Sequence, residues 1–295
     1  MPTFDTPDPI KATIEIVSGH VRVSAGDRRD TLVEIHPSDP SNKDDVEAAE
    51  RTRVEYANQQ LLVKAPKLRS WSWRSTGGSI DVVIELPAGS HLQGTGQLAD
   101  FHCDGRFGDC RIKTGLGHIR LDRADTLSLK SGMGDISVDR AMAHTDIKAG
   151  SGDVRLRELD SSAVVKNSNG DTWVGVAGGD LRVGAANGSI AVDLAHATVA
   201  AKTANGDVRL AEVERGSVVL ETTAGYLEVG IPEGTAAWLD VSTTAGKVRN
   251  ALDAADAPGP AAETVEVRAR TSFGDILIRR PSTSDRQPAA QGETR

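Results

Sequence analysis

Aromatic residues make up only 3% of this 295-residue chain, and cysteine occurs twice. So few rings exclude a broad globular core built on aromatic packing. Set against 30 glycines, the shortage points to a narrow core turned by many tight bends. Cys103 and Cys110 are too few for a disulfide framework. No apolar run approaches eighteen residues, so no transmembrane helix is expected. The opening Met1–Pro9 has neither a basic segment nor an apolar stretch and does not read as a secretory leader. The expected address is therefore cytoplasmic. A net charge of −8, from 34 basic and 42 acidic residues, argues against a general binder of nucleic acid or anionic membranes. Catalytic patterns are missing too. There is no Gly-x-Ser-x-Gly, no phosphate loop and no His-Glu-x-x-His. The seven histidines are scattered, and His102-Cys103 has no partner at zinc spacing. No catalytic residue, metal or cofactor is expected, and the chain does not read as an enzyme.

What is present is a phrase that returns every eighteen residues: Gly134-Asp-Ile-Ser-Val138, Gly152-Asp-Val-Arg-Leu156, Gly170-Asp-Thr-Trp-Val174, Gly188-Ser-Ile-Ala-Val192 and Gly206-Asp-Val-Arg-Leu210. Fixed self-similarity at such a period marks a repeat architecture. Two and four residues after the glycine the sequence is apolar almost throughout (Ile136/Val138, Val154/Leu156, Val208/Leu210). Seven and five residues before it, the sequence is apolar again (Leu127/Leu129, Leu181/Val183, Val218/Leu220). Each pair is a short strand showing two side chains to one face. A three-sided hexapeptide helix would space its core residues by six. Pairs every nine instead predict an all-β parallel β-solenoid of about 18 residues per coil, with two principal sheets and room for a bulged third face in longer coils. One coil cannot bury enough apolar surface to stand alone, so stability must come from stacking.

Three regions are expected: 1–93, where strands carry an inserted helix and a Trp loop and begin the solenoid; 94–280, the regular coils; and 281–295, a polar tail. Strands are expected at Ile10–Ile16, Val21–Val23, Thr31–His36, Leu61–Val63 and Ile80–Leu86. One short helix is expected over Asp45–Tyr56, started by a capping box at Ser41 and Asp44. Trp71 and Trp73 fall in a loop, where they would either bind a partner or cover the open end of the solenoid. The ten extra residues between Gly246 and Gly274 are assigned to a loop at Leu252–Glu263, the only other candidate cover.

Stacking makes columns of equivalent residues about 4.8 Å apart. Asn169, Asn187 and Asn205 precede their glycines in one column, where Asn tolerates a left-handed bend and stacked amides can bond to one another. With Gly134, Gly152, Gly170, Gly188 and Gly206 they form a structural turn ladder. Asp109, Asp135, Asp153, Asp171, Asp207 and Asp275 follow their glycines. Calcium-binding nonapeptide rolls also place two strands in eighteen residues, but their Asp stands two residues after the glycine; no metal is assigned. Lys113, Lys130, Lys148, Lys166 and Lys202 form an outward basic column, interrupted at Gly184. It reads as a solubilising row or as a holder of an anionic polymer. These lysines, with Trp71 and Trp73, are the candidate binding residues.

The phrases Gly132-Met-Gly-Asp-Ile-Ser-Val138, Gly150-Ser-Gly-Asp-Val-Arg-Leu156, Val165–Trp173 and Thr271–Ile276 resemble a bacterial β-strand-repeat family of candidate adhesins without known function. The resemblance spans about Ile10 to Arg280. It implies a right-handed parallel β-helix, no established catalytic residues, and a surface location in many relatives. The expected function is a non-enzymatic adhesin-like binding or interaction scaffold whose partner is a protein or an anionic polymer, acting as a monomer or small oligomer. A self-assembling, bactofilin-like structural protein is the alternative, and a carbohydrate-active enzyme a more distant one.

Overall fold

The computed structural model describes residues 2–66, 78–252 and 263–281. The chain divides into two compact units, Met1–Asp153 and Val154–Arg295, and each is a stack of short parallel strands.

In the second unit one sheet runs through Ala163–Asn169, Leu181–Asn187, Val199–Asn205 and Gly216–Ala224, all parallel and in register. The other runs through Val154–Leu159, Thr172–Ala177, Ile190–Ala195, Val208–Val213 and Leu227–Gly230. Successive coils pair equivalent residues, so Val165 faces Val183 and Val192 faces Leu210. The first unit repeats the arrangement. Cys110–Leu116, Leu127–Met133 and Thr145–Ser151 share one sheet. Ile119–Ala124 and Ile136–Ala141 share the other. The long strand His91–Phe107 serves both, pairing with Cys110–Leu116 through its first half and with Ile119–Ala124 through its second.

The expected inward pairs are buried from Leu127 to Val229 and again at Val265, Val267, Ala269, Ile276 and Ile278, while in the outer coil, 236–250, Leu239 and Val241 are half-buried and Val248 is exposed. Two further inward columns accompany them. Seven residues after the glycine stand Ala124, Ala141, Leu159, Ala177, Ala195 and Val213, all buried. The alternation breaks just before this position, and in Ile119–Ala124 the register slips between Leu121 and Arg123. The bend supplies a third inward side even in coils of ordinary length, where small residues fit the narrow corner. Three residues before the glycine stand Thr114, Ser131, Asn167, Thr203, Thr222 and Thr271, buried and polar. Thr203, Thr222 and Thr271 each donate to the carbonyl of the turn glycine in a neighbouring coil, at 3.1, 3.0 and 3.2 Å. A bend carbonyl turned inward has no ladder partner, and a buried hydroxyl satisfies it.

Both ends depart from simple order. Lys11–Glu15 lies between Gln60–Lys64 and His91–Phe107. Ser18–Gly26 likewise lies between Ser79–Pro87 and His91–Phe107. In the second unit, Thr264–Phe273 inserts between Gly216–Ala224 and Ala236–Ala245. Ile276–Arg279 inserts between Leu227–Gly230 and Val248–Asn250. Thr264–Phe273 is second in its sheet, inside Ala236–Ala245, whereas Lys11–Glu15 is third, inside Arg53–Ala57 and Gln60–Lys64; each has both of its edges paired.

The inserted helix is shorter than expected. It spans Lys43–Arg51, and Arg53–Ala57 is a strand paired antiparallel with Gln60–Lys64. The cap is Asn42 rather than Ser41: its side chain accepts from Asp44 N, while Ser41 is drawn to Asp39. Val54 and Tyr56 fit a strand as well as a helix, and pairing against Leu61 and Val63 decides for the strand. The helix is pinned by the buried Asp45 carboxylate, which accepts from Ser79 N at 2.8 Å and Asp39 N at 3.1 Å. Thr3–Asp5 forms a further antiparallel strand on Asp30–Pro37. Trp71, Trp73 and most of the Leu252–Glu263 loop lie outside the described residues.

Candidate functional site

The turn columns engage one another rather than a ligand. Asn187 donates to Asn169 at 2.9 Å and Asn205 to Asn187 at 3.0 Å, an amide ladder along the second unit. The Asp column works differently. Each carboxylate accepts the backbone N–H of its equivalent position in the adjoining coil: Asp135 from Asp153, Asp171 from Ser189, Asp207 from Tyr226 and Asp275 from Lys247, all at 2.7–2.8 Å. Histidine substitutes in two places, because a neutral imidazole nitrogen is also an acceptor. His91 Nδ1 accepts from Asp109 N, and His118 Nδ1 from Asp135 N. Gly134, Gly152, Gly170, Gly188 and Gly206 all hold positive φ. At Gly188 an added Cβ would lie 2.1 Å from the carbonyl oxygen of Gly170. These residues hold the bends together.

Acids and imidazoles also alternate across one sheet of the first unit. His20 stands between Asp81 and Asp100, at 3.1 and 3.5 Å, beside a shallow cavity of about 480 Å³ that His102, His118 and Arg120 also line. Among the described residues no group of three or more His, Cys, Asp or Glu side chains is placed to hold a metal ion. Cys103 and Cys110 are free and buried, and burial pushes both thiols well above their usual range.

The lysine column is where charge is left over. In the first unit Lys113 faces Lys130, which faces Lys148, on three consecutive strands. All three are exposed, and Arg111 is exposed beside them, facing Ser128. Lys148 pairs with Asp146 at 2.7 Å. Lys113, Lys130 and Arg111 have no ion-pair partner among the described residues. In the second unit the column thins. Gly184 separates Lys166 from Lys202, and Lys202 is paired with Glu221 at 2.9 Å. The five lysines of the sequence pattern thus come together as one uninterrupted triplet in the first unit and two separated residues in the second.

Sequence reasoning missed what lies next to the triplet. Leu98, Leu116 and Met133 face one another in register at the end of their strands, Leu116 and Met133 just before a turn glycine and Leu98 just before Ala99. They are 48%, 43% and 57% exposed. In the second unit this position carries the Asn ladder. The signal was available in sequence, since the column switches from apolar to amide between Met133 and Asn169, but the strict Asn period drew attention away from it.

A family model described as Toastrack DUF4097 matches residues 11–279, nearly the whole described chain. The chain belongs to this family. Three solved structures are similar to this Toastrack chain at low identity. A candidate cell adhesion protein from Clostridium sporogenes is 13% identical, covering 95% of this chain and 98% of its own, with a TM-score of 0.24. A candidate adhesin from Bacteroides fragilis is 13% identical, covering 95% of each chain, with a TM-score of 0.35. A candidate adhesin from Parabacteroides merdae is 11% identical, covering 94% of each, with a TM-score of 0.30. At these scores the likeness carries no structural or functional argument. No curated protein matches the chain. Among the described residues no helix of this Toastrack chain is long and apolar enough to cross a membrane.

Proposed function

We propose that the protein is a non-enzymatic, adhesin-like binding scaffold that holds an anionic polymer along the lysine row of its first unit. The observation that carries this reading is the in-register triplet Lys113, Lys130 and Lys148, with Lys113 and Lys130 lacking a counter-charge among the described residues. Like charges directly opposite on neighbouring strands are destabilising. At a strand spacing of about 4.8 Å the repulsion is of the order of 1 kcal/mol per neighbouring pair in water. Solubility needs no such alignment. A polyanion lying across the strands would relieve it at each step. The stacked fold suits this role, because its flat, repetitive face offers equivalent positions along a line.

The test is binding of inorganic polyphosphate and of polygalacturonate, followed by calorimetry at several salt concentrations. At least one should bind, weaken as salt rises, and lose about tenfold in affinity when Lys113→Gln and Lys130→Gln are combined. Neither lysine is buried and the substitution removes their repulsion, so the variant should melt at or slightly above the parent. No binding by the parent to either probe, or binding unaffected by the double substitution, would overturn the reading.

The self-assembling alternative is favoured by a separate observation. Ala236–Ala245 pairs with one neighbour only among the described residues, and Trp238 on it is 72% exposed. Unpaired strand edges recruit other chains. Sedimentation decides between them: a discrete monomer or small oligomer across a hundredfold concentration range supports the scaffold, while length-distributed species support assembly. Cell fractionation separates a cytoplasmic address from a surface one.

A further inference from the structure

We propose that the polymer is an acidic polysaccharide, seated between the lysine row and the apolar row Leu98, Leu116 and Met133. This rests on the lysine reading above and adds the chemistry of the ligand's second face. The two rows overlap on two strands, Lys113 with Leu116 and Lys130 with Met133; Leu98 extends the apolar row by one strand on one side and Lys148 the lysine row by one strand on the other. On the shared strands the lysine stands four residues before the turn glycine and the apolar side chain one before it. Three residues of strand put the rows roughly 10 Å apart. Between them lie Gly115, Gly132 and Gly150, which leave the floor as bare backbone.

The apolar row has no evident role in the fold. At the same bend position in the second unit, Asn169, Asn187 and Asn205 make equivalent turns. The bend therefore does not require a large apolar residue. Three such side chains aligned and about half exposed leave apolar surface in water, which is unfavourable. Their alignment beside Lys113 and Lys130, which have no ion-pair partner among the described residues, defines a ligand that is anionic on one side and carbon-rich on the other over the two shared strands. A chain of uronate sugars has this character. Its carboxylates would meet Lys113 and Lys130, and the C–H faces of its rings would meet Leu116 and Met133. Each strand step of about 4.8 Å is close to the length of one pyranose residue. Polyphosphate satisfies the lysines but has no use for the apolar row. A nucleic acid would call for aromatic stacking platforms, and neither row contains one.

The experiment compares polygalacturonate, polyphosphate and neutral dextran on the parent and two double variants. The first variant combines Lys113→Gln with Lys130→Gln. The second combines Leu116→Asn with Met133→Asn, using the residue that the second unit accepts at this bend; a thermal melt matching the parent verifies the fold. Polygalacturonate should bind the parent and dextran should not. The Lys variant should lose about tenfold for both polyanions. The Asn variant should lose at least threefold for polygalacturonate while its affinity for polyphosphate stays unchanged. An Asn variant that holds polygalacturonate as tightly as the parent would overturn the polysaccharide while leaving the lysine reading standing. So would an equal loss for both polyanions. If the parent binds neither polyanion, both proposals fall.

Discussion

A single residue's direction decides its energetic weight in this fold. Val208 is buried and Arg209, the next residue, faces out. Val208→Asp places a carboxylate in a dry two-sheet interior, and the cost is several kcal/mol. Arg209→Gln removes a solvent-facing guanidinium 3.7 Å from Glu228, which keeps Arg279 at 2.6 Å, so the loss should stay within about 1 kcal/mol. Thermal melts of the two variants should differ widely, and equal losses would mean that the strand parity is wrong. Cys103 and Cys110 follow the same logic. Burial raises both thiols, so little thiolate exists near neutrality and reagents cannot reach it. A disulfide-exchange reagent should leave the native protein unlabelled and label both thiols in denaturant; fast labelling under native conditions would contradict the buried placement. These directions were legible in sequence, because strand alternation needs only local pattern. The Asp column was not. Its spacing from glycine identified a repeat, but the N–H it accepts belongs to another coil, and no local rule names that donor.

At the scale of one coil, the turn is as specified as the core. The bend is closed by a positive-φ glycine, by a carboxylate or imidazole accepting from the next coil, and by a buried hydroxyl donating to the glycine carbonyl. Thr203 supplies that hydroxyl to Gly188 at 3.1 Å. Thr203→Val keeps the shape and removes the donor, so a loss of about 1 kcal/mol is expected. Chemical denaturation measures it, and a variant as stable as the parent would mean the hydroxyl is not needed there. The pairs spaced by nine gave away the strands and the two sheets, whereas the polar column three residues before the glycine looked like an ordinary strand end. The third inward column escaped for a related reason. A break in alternation after the second core residue looks, in sequence, like the end of a strand rather than a corner. The helix boundary failed by competition: Arg53–Ala57 carries no Gly or Pro to stop a helix, and the partner strand Gln60–Lys64 stops it instead.

Across the whole chain, the order of coils is the part that sequence conceals most completely. Equivalent positions in every coil carry interchangeable apolar residues, so pattern alone cannot say which coil neighbours which. Simple stacking in chain order would make the last coil the outer one. Instead Thr264–Phe273 is enclosed by Gly216–Ala224 on one side and Ala236–Ala245 on the other. The core position Val267 is buried, while its neighbour Leu239 in the outer coil is only half-buried. With both of its edges paired, Thr264–Phe273 leaves the unpaired edge, among the described residues, to Ala236–Ala245. Amide hydrogen exchange follows the stability of local opening and so reports this order. Alternate amides of Ala236–Ala245, those pointing away from Thr264–Phe273, should exchange early. The amides of Thr264–Phe273 should be protected on both edges, although they come later in the sequence. The first unit offers the same comparison, with Lys11–Glu15 protected and the outward amides of Arg53–Ala57 exchanging first. Protection that instead declined steadily from Gly216–Ala224 through Ala236–Ala245 to Thr264–Phe273 would show that the coils stack in chain order and that the last one is an ordinary end.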